Sequence, residues 1–204
     1  RLLPVQSTRG CRDVRRPALS CTLVFGGARS GKSAFAERLA RESGREVVYI
    51  ATSRAGDGEM AARIALHREQ RPHEWRTVEE ELALAQTLRA ECLPGRLVLV
   101  DCLTLWLSNL MFCDGREYPE VGALTLPDRF HEERAALLDL LDAGVPGDVV
   151  FVSNEVGMGI VPWGAISRSF ADEAGRLNQA VAARAERAGF VAAGLPLVLK
   201  GAPC

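Results

Sequence analysis

The eight residues Gly26-Gly27-Ala28-Arg29-Ser30-Gly31-Lys32-Ser33 read G-x-x-x-x-G-K-S, and the apolar run Cys21-Thr22-Leu23-Val24-Phe25 leads straight into them. A strand that empties into such a loop and then into a helix constrains the fold more than any other feature of the chain. Glycines let successive backbone N–H groups turn inward, and that concavity at a helix N-terminus favours an anion, above all a phosphate. In this arrangement Lys32 reaches the β- and γ-phosphates of a nucleotide and the Ser33 hydroxyl meets Mg²⁺. The plain alternative is a turn that happens to contain Gly and Lys. Against it, Ser33 opens a helical pattern: Phe35 and Leu39, with Ala36 and Ala40, mark one apolar face, and Gly44 stands where a helix would stop.

Strand-like and helix-like segments alternate after residue 20, which predicts βαβ units in a mostly parallel sheet flanked by helices, an α/β domain of the P-loop NTPase type. The strand candidates are Leu23–Gly26, Val47–Thr52, Leu97–Asp101, Val149–Asn154 and Leu197–Lys200, with Phe190–Ala193 as a further one. Helical patterns fall near Ser33–Ser43, Glu59–Arg71, Val78–Glu91, Leu103–Phe112, Asp128–Ala143 and Ser167–Ala188. Thr77 and Glu80 have the spacing of a capping box for the third helix, and Pro72 ends the second. Residues 113–127 form the one long loop, broken by Gly115, Pro119, Gly122 and Pro127.

A chain of 204 residues that is 48% apolar can bury one α/β core, so one catalytic domain over residues 21–204 is expected. Charge is unevenly spread: residues 1–17 hold five arginines against one aspartate, although the whole chain has a net charge of −1. Residues 1–20 read as a disordered leader or the product of a misassigned start, because they offer little apolar area to pack. The body is mildly acidic with no long basic stripe, which argues against a nucleic-acid partner. No run of apolar residues is long enough for a membrane span. The six cysteines (Cys11, Cys21, Cys92, Cys102, Cys113, Cys204) have neither C-x-x-C nor zinc-type spacing, so they read as reduced, mostly buried thiols of a cytoplasmic protein.

A parallel sheet binds ligands at the carboxyl ends of its strands, so the residues just past each strand carry the chemistry. Asp101 ends an apolar strand, where a carboxylate can hold Mg²⁺ directly or through water; it can also cap the helix that follows. Asn154 and Glu155 end another strand before the glycine-rich Val156-Gly157-Met158-Gly159. There Glu155 is either a base or hydroxyl-orienting group, or a solvated loop carboxylate. His67 follows Met60 and Ile64 on the apolar stripe of its helix, the ordinary place of a core histidine. Arg63, Arg68 and Arg71 crowd the same helix, and a neutral imidazole among arginines beside a triphosphate can instead attack phosphorus. Spacing alone leaves both readings open. His73 and His131 read as surface residues.

Several stretches together resemble one family, the bifunctional adenosylcobinamide kinase / adenosylcobinamide-phosphate guanylyltransferase of cobalamin biosynthesis. They are Gly26–Ser33 (GGARSGKS), Tyr49–Ser53 (YIATS), Glu59–Arg71 with Pro72 and Trp75-Arg76-Thr77, Leu99–Asp101, Asn109-Leu110, Val152–Pro162 (VSNEVGMGIVP) and Arg168 through Gln179 (RSFADEAGRLNQ). The phosphate loop is generic. The N-E-V-G-M-G-I-V-P stretch and the M-A-A-R-I-x-x-H-R-x-x-R-P helix are far more specific, and both occur in order.

The resemblance implies two reactions. ATP or GTP phosphorylates the aminopropanol hydroxyl of adenosylcobinamide, and GTP then gives GMP to that phosphate through a covalent GMP-histidine, yielding adenosylcobinamide-GDP. It implies His67 as the nucleophile, with Lys32 as the other catalytic residue. It places nucleotide contacts on Gly26, Gly27, Ala28, Arg29, Ser30, Gly31, Lys32 and Ser33, on Thr52, Ser53 and Arg54, on Arg68, Glu69, Gln70 and Arg71, and on Glu79 and Asp101. Asn154, Glu155, Arg168, Arg176 and Asn178 are the candidate substrate contacts. The family also implies a homotrimer. The chain departs from the pattern at Asp101, where relatives often carry Glu, and at Trp163-Gly164, where polar residues are expected. Two other functions fit the phosphate loop: a kinase for another small alcohol or nucleotide, with no nucleophilic histidine, or a nucleotide-sensing switch without group transfer.

Overall fold

The computed structural model describes residues 20–53 and 72–202. Its centre is a seven-stranded sheet of order β3-β2-β4-β5-β1-β6-β7. The strands are β1 (Cys21–Gly26), β2 (Glu46–Ala51), β3 (Arg76–Glu79), β4 (Arg96–Asp101), β5 (Asp148–Asn154), β6 (Arg187–Ala192) and β7 (Leu195–Lys200). All neighbours are parallel except β6 and β7, which pair antiparallel. The described helices are α1 (Lys32–Glu42), α2 (Leu84–Glu91), α3 (Leu103–Met111), α4 (Asp128–Ala143) and α5 (Ala165–Arg184).

The central strands read as unbroken apolar runs because both faces of the sheet are covered. Their side chains alternate between two cores. Leu23, Val48, Ile50, Val98, Val100, Val149 and Phe151 face α2 to α5, packing with Trp106, Leu107, Phe130 and Leu177. Val24, Val47, Tyr49, Leu97, Leu99, Val150 and Val152 face the other way, onto Phe35, Ala36 and Leu39 of α1 and onto Trp75. Trp106 is fully buried, yet its indole N–H donates to the Leu82 carbonyl at 2.8 Å, so no polar atom is stranded there.

Two segments depart from the sequence reading. The stretch expected as a helix from Val78 begins as a strand: Arg76–Glu79 pairs in parallel with β2, and the helix starts only at Leu84. Edge pairing of Thr77 and Val78, both β-branched, outweighs the helical leaning of the glutamates after them. Thr77 therefore forms no capping box. Glu80 instead holds the turn before the helix, its Oε1 accepting from the Leu82 and Ala83 amides at 2.8 and 2.7 Å, and the helix itself has no side-chain cap. Arg76 then makes two bonds to Glu91, at 3.0 and 2.8 Å, tying β3 to the end of α2. The other correction is at α5, which ends at Arg184 rather than Ala188, because Arg187–Ala192 is the strand that pairs with β1.

The described histidines and cysteines lie where the sequence puts them. His73 and His131 are exposed, and Cys21, Cys92 and Cys102 are buried free thiols, with Cys113 partly exposed. The helix expected over Glu59–Arg71 lies outside the described residues, as do Cys11 and Cys204. Among the described residues, no helix is long and apolar enough to cross a membrane.

Candidate active site

The loop after β1 is built by backbone conformations that few residues accept. Gly31 has φ +92°, and a Cβ there would stand 2.9 Å from the Cα of Gly194. At Gly26 an added Cβ would lie 2.3 Å from the Val191 carbonyl oxygen. The motif glycines are thus fixed by close approach to β6 and to the turn that follows it. That turn, at Ala193 and Gly194, has φ +51° and +78°, the left-handed pair of a tight hairpin. The Gly194 amide donates to the Ser30 carbonyl at 2.7 Å, so the β6–β7 hairpin braces the phosphate loop. Little in the sequence signals this brace; only the small Ala193-Gly194 pair between two apolar runs hints at it.

Helix α1 begins at Lys32 with Gly31 as its N-cap, with no side-chain cap and no acidic residue in its first turn. Its leading amides and the positive end of its dipole are left for an anion. Lys32 is buried, and its ammonium donates to the Gly27 carbonyl at 3.2 Å, folded back over the loop. The Ser30 hydroxyl is buried with no hydrogen-bond partner among the described residues. Ala28 and Arg29 are exposed at the loop's crest, while Gly27 and Ser33 are partly exposed.

The strand register collects the remaining candidates at one edge of the sheet. Glu79 pairs with Ala51, Ala51 with Asp101, Asp101 with Val152, and Gly26 with Asn154. Asp101 accepts a hydrogen bond at Oδ2 from the hydroxyl of Tyr49, at 2.9 Å, and Tyr49 is itself buried. The Cys102 thiol reports on the charge around this edge. Its pKa is pushed up to about 11, chiefly by burial and then by the Asp101 charge, while the Thr104 hydrogen bond and the Lys32 ammonium act to lower it. The loop lysine and the strand-end carboxylate lie at the same carboxyl edge of the sheet, with hard oxygen donors at Ser33 and Asp101. That donor set suits a Mg²⁺ that brings a nucleotide's phosphates with it. Among the described residues no group of three His, Cys, Asp or Glu side chains could hold a metal by itself.

Some of the expected contacts are turned inward. Thr52 is fully buried; its Oγ1 donates to the Cys102 carbonyl at 2.7 Å and accepts from the Cys102 amide at 2.8 Å, latching β2 to β4. Asn109 adds a bond to the Thr52 carbonyl at 2.7 Å, leaving Ser53 as the partly exposed residue at that strand end. Asn154 donates to the Thr104 hydroxyl at 2.6 Å, and Asn178 donates to the Asn154 carbonyl at 3.1 Å. Asn178 thus acts through Asn154. Glu155 donates its amide to the Gly26 carbonyl at 3.0 Å, and its Oε1 accepts from the Gly157 amide at 2.6 Å. Arg168 donates to the Pro162 carbonyl at 3.1 Å and also to that of Trp163, while Arg176 pairs with Glu173 on the exposed side of α5. Arg168 therefore shapes the 156–163 loop. His67, Arg54, Arg68, Glu69, Gln70 and Arg71 lie outside the described residues.

Fold and site together define a nucleotide-dependent enzyme of the P-loop class: an uncapped helix N-terminus, a buried lysine in a glycine loop and a carboxylate two strands away. An ATPase of a bacterial type III secretion system shares the fold at a TM-score of 0.50, with 13% identity over 89% of this chain and 57% of that one. The family model described as cobinamide kinase / cobinamide phosphate guanyltransferase matches residues 22–199, and the chain belongs to this family of transferases. It is 58% identical over 181 residues to the bifunctional adenosylcobalamin biosynthesis protein CobP of Pseudomonas aeruginosa, covering 89% of this chain and 98% of that one. The corresponding protein CobU of Escherichia coli (strain K12) is 43% identical over 180 residues, covering 87% and 98%.

Proposed function

We propose that the protein phosphorylates the aminopropanol hydroxyl of adenosylcobinamide with ATP or GTP and then transfers GMP from GTP to the new phosphate. What carries this reading is the phosphate loop, with Lys32 folded over it and the α1 amides uncapped, in a chain of the cobinamide kinase family. In the first step the substrate hydroxyl attacks the γ-phosphorus and the nucleoside diphosphate leaves. Lys32 and the α1 amides take up the charge that spreads over the phosphoryl oxygens. Glu155, held at the mouth of the loop by the hydrogen bond that its backbone N–H donates to the Gly26 carbonyl, orients the hydroxyl and accepts its proton. Mg²⁺, held by Ser33 and Asp101 together with the phosphates, would supply charge neutralisation at the β- and γ-oxygens.

In the second step an imidazole nitrogen of His67 attacks the α-phosphorus of GTP and pyrophosphate leaves. The adenosylcobinamide phosphate oxygen then displaces the imidazole, forming adenosylcobinamide-GDP. Arg54, Arg68, Glu69, Gln70, Arg71, Ser53 and Glu79 are the further nucleotide contacts of this reading. Arg168, Arg176, Asn154 and Asn178 bear on the acceptor side. We place the enzyme in the cytoplasm, where buried free thiols such as Cys21, Cys92 and Cys102 stay reduced. A homotrimer is the assembly we propose, supported by the bare apolar edge that β7 presents.

The decisive measurement is incubation with Mg²⁺ and GTP labelled at the α-phosphate, without corrinoid. Protein-bound label that is lost in acid and kept in base marks a phosphoramidate. His67→Ala should abolish it while keeping much of the kinase step, whose chemistry is at the γ-phosphate. Label of the same acid lability on the His67→Ala protein would put the nucleophile elsewhere.

A further inference from the structure

A cavity lies outside the phosphate site, among the described residues. It is an apolar groove of about 350 Å³ between the end of α3, the 156–163 loop and the start of α5. Phe112, Val156, Pro162, Ile166 and Phe170 line it. Ser108 and Ser167 are the polar residues among those lining it. The loop beside it holds Met158, Ile160, Val161 and Trp163 out in solvent, at 78, 97, 75 and 81% exposure. Four large apolar side chains on one short loop, next to an apolar groove, mark a surface built to be covered.

What covers it follows from where it lies. Val156 is the neighbour of Glu155, whose amide is bonded to Gly26 of the phosphate loop. Ser108, also on the groove wall, is the neighbour of Asn109, which bonds the Thr52 carbonyl at the end of β2. The groove therefore starts one residue beyond Glu155, beside the rim of the site. A molecule that places a hydroxyl at the phosphate loop and has an apolar flank on the same arm would rest that flank here. Resting on the function proposed above, we propose that the groove and the 156–163 loop seat the methyl-bearing edge of the corrin ring of cobinamide. The groove takes one edge of the ring, Ser108 and Ser167 bond its amide side chains, and Met158, Ile160 and Trp163 close over its face. Trp163-Gly164 then belongs to the acceptor site: an indole supplies flat apolar area where a polar residue would not.

The test is a titration with cobinamide, read as the tryptophan quenching that Trp163→Phe removes, with buried Trp75 and Trp106 as the common background. Two variants alter the groove at exposed or rim positions: Phe112→Ser with Val156→Ser strips its wall, and Ser167→Phe fills it. Wild type should show saturable quenching. Both variants should weaken it and raise the cobinamide KM of the kinase step at least about tenfold, the scale of one lost apolar contact of this size. The GTP KM and the label taken up from α-labelled GTP should stay at wild-type level. Wild-type KM and quenching in both variants would overturn the groove as the acceptor site. A fall in solution mass in the variants, with cobinamide KM unchanged, would assign the groove to a second copy of the chain and overturn the proposal as well. If the wild-type protein neither binds cobinamide nor takes up GMP, the function proposed above fails, and this assignment with it; uptake of GMP without cobinamide binding overturns the corrin assignment alone.

Discussion

At the scale of single residues, Asp101 carries the sharpest question. A carboxylate at the end of β4 can serve a metal or read the guanine edge, and both uses need an acceptor oxygen. Its Oδ2 already accepts from buried Tyr49, so its orientation is fixed before any nucleotide arrives. The register sets Asp101 level with Ala51 and Val152 at the carboxyl edge of the sheet, the edge where β1 runs into the phosphate loop. Asp101→Asn should therefore raise the Mg²⁺ concentration needed for half-maximal rate in both steps, with GTP preference over ATP intact. An amide keeps one acceptor oxygen but loses the charge that attracts the cation. An unchanged Mg²⁺ requirement with eroded GTP preference would move Asp101 to the guanine. Tyr49 is the residue that sequence reading passed over here: it sits in mid-strand, where its ring reads only as core.

At the scale of elements, the phosphate loop is held from outside by the β6–β7 hairpin. Gly31→Ala meets two obstacles, a left-handed φ and a Cβ pressed against Gly194. The left-handed backbone alone costs an L-residue about 1–2 kcal/mol, so the loop should shift and nucleotide KM should rise roughly tenfold or more, on the scale of 1.4 kcal/mol per decade. Gly194→Pro removes the amide that holds the Ser30 carbonyl and cannot keep the left-handed φ of the turn, so it should raise nucleotide KM in the same direction, although residue 194 is far from the motif in sequence. A wild-type nucleotide KM in Gly194→Pro would show that the hairpin only touches the loop. The loop itself was legible because its residue types are dictated by local backbone geometry. Its brace was not, because the bond joins residues 30 and 194. The central strands were legible for a similar reason: burial on both faces leaves a continuous apolar run. Arg76–Glu79 misled because an edge strand of four residues has little apolar signature, and only pairing with β2 makes it a strand. For the candidate site, strand-end positions such as Asp101 and Asn154 could be placed from the apolar runs before them. That Thr52 is a latch and Asn178 a prop depends on partners 50 and 24 residues away.

At the scale of the whole molecule, β7 is the unfinished side of the sheet. All six of its residues are exposed, and Leu195, Leu197 and Leu199 project from one face at 74, 60 and 56% exposure. An uncovered apolar strand at a sheet edge invites pairing with another chain. Light scattering of the purified protein should give three times the 22.1 kDa chain mass, and Leu197→Glu should bring it down to that of one chain. A single-chain mass for the wild type would end the trimer.

The interior makes a separate prediction about alkali. Burial is the main cause holding the thiols of Cys21, Cys92 and Cys102 in their neutral form, with pKa values pushed from 9.0 to about 12, 11 and 11. In the unfolded chain these thiols ionise near the ordinary value, so above it the unfolded state holds fewer protons than the folded one. Stability then falls as pH rises. The thiol contribution is intact below about pH 9, is lost progressively up to about pH 11 for Cys92 and Cys102 and about 12 for Cys21, and levels off beyond. Each thiol adds a slope of up to roughly 1.4 kcal/mol per pH unit inside its window. Cys102→Ala removes one such contribution, so its denaturation midpoint should fall less steeply between pH 9 and 11 than that of the wild type, whatever offset the lost sulfur causes at neutral pH. Parallel curves for the two proteins across that window would mean that the Cys102 thiol ionises as readily inside the fold as outside it.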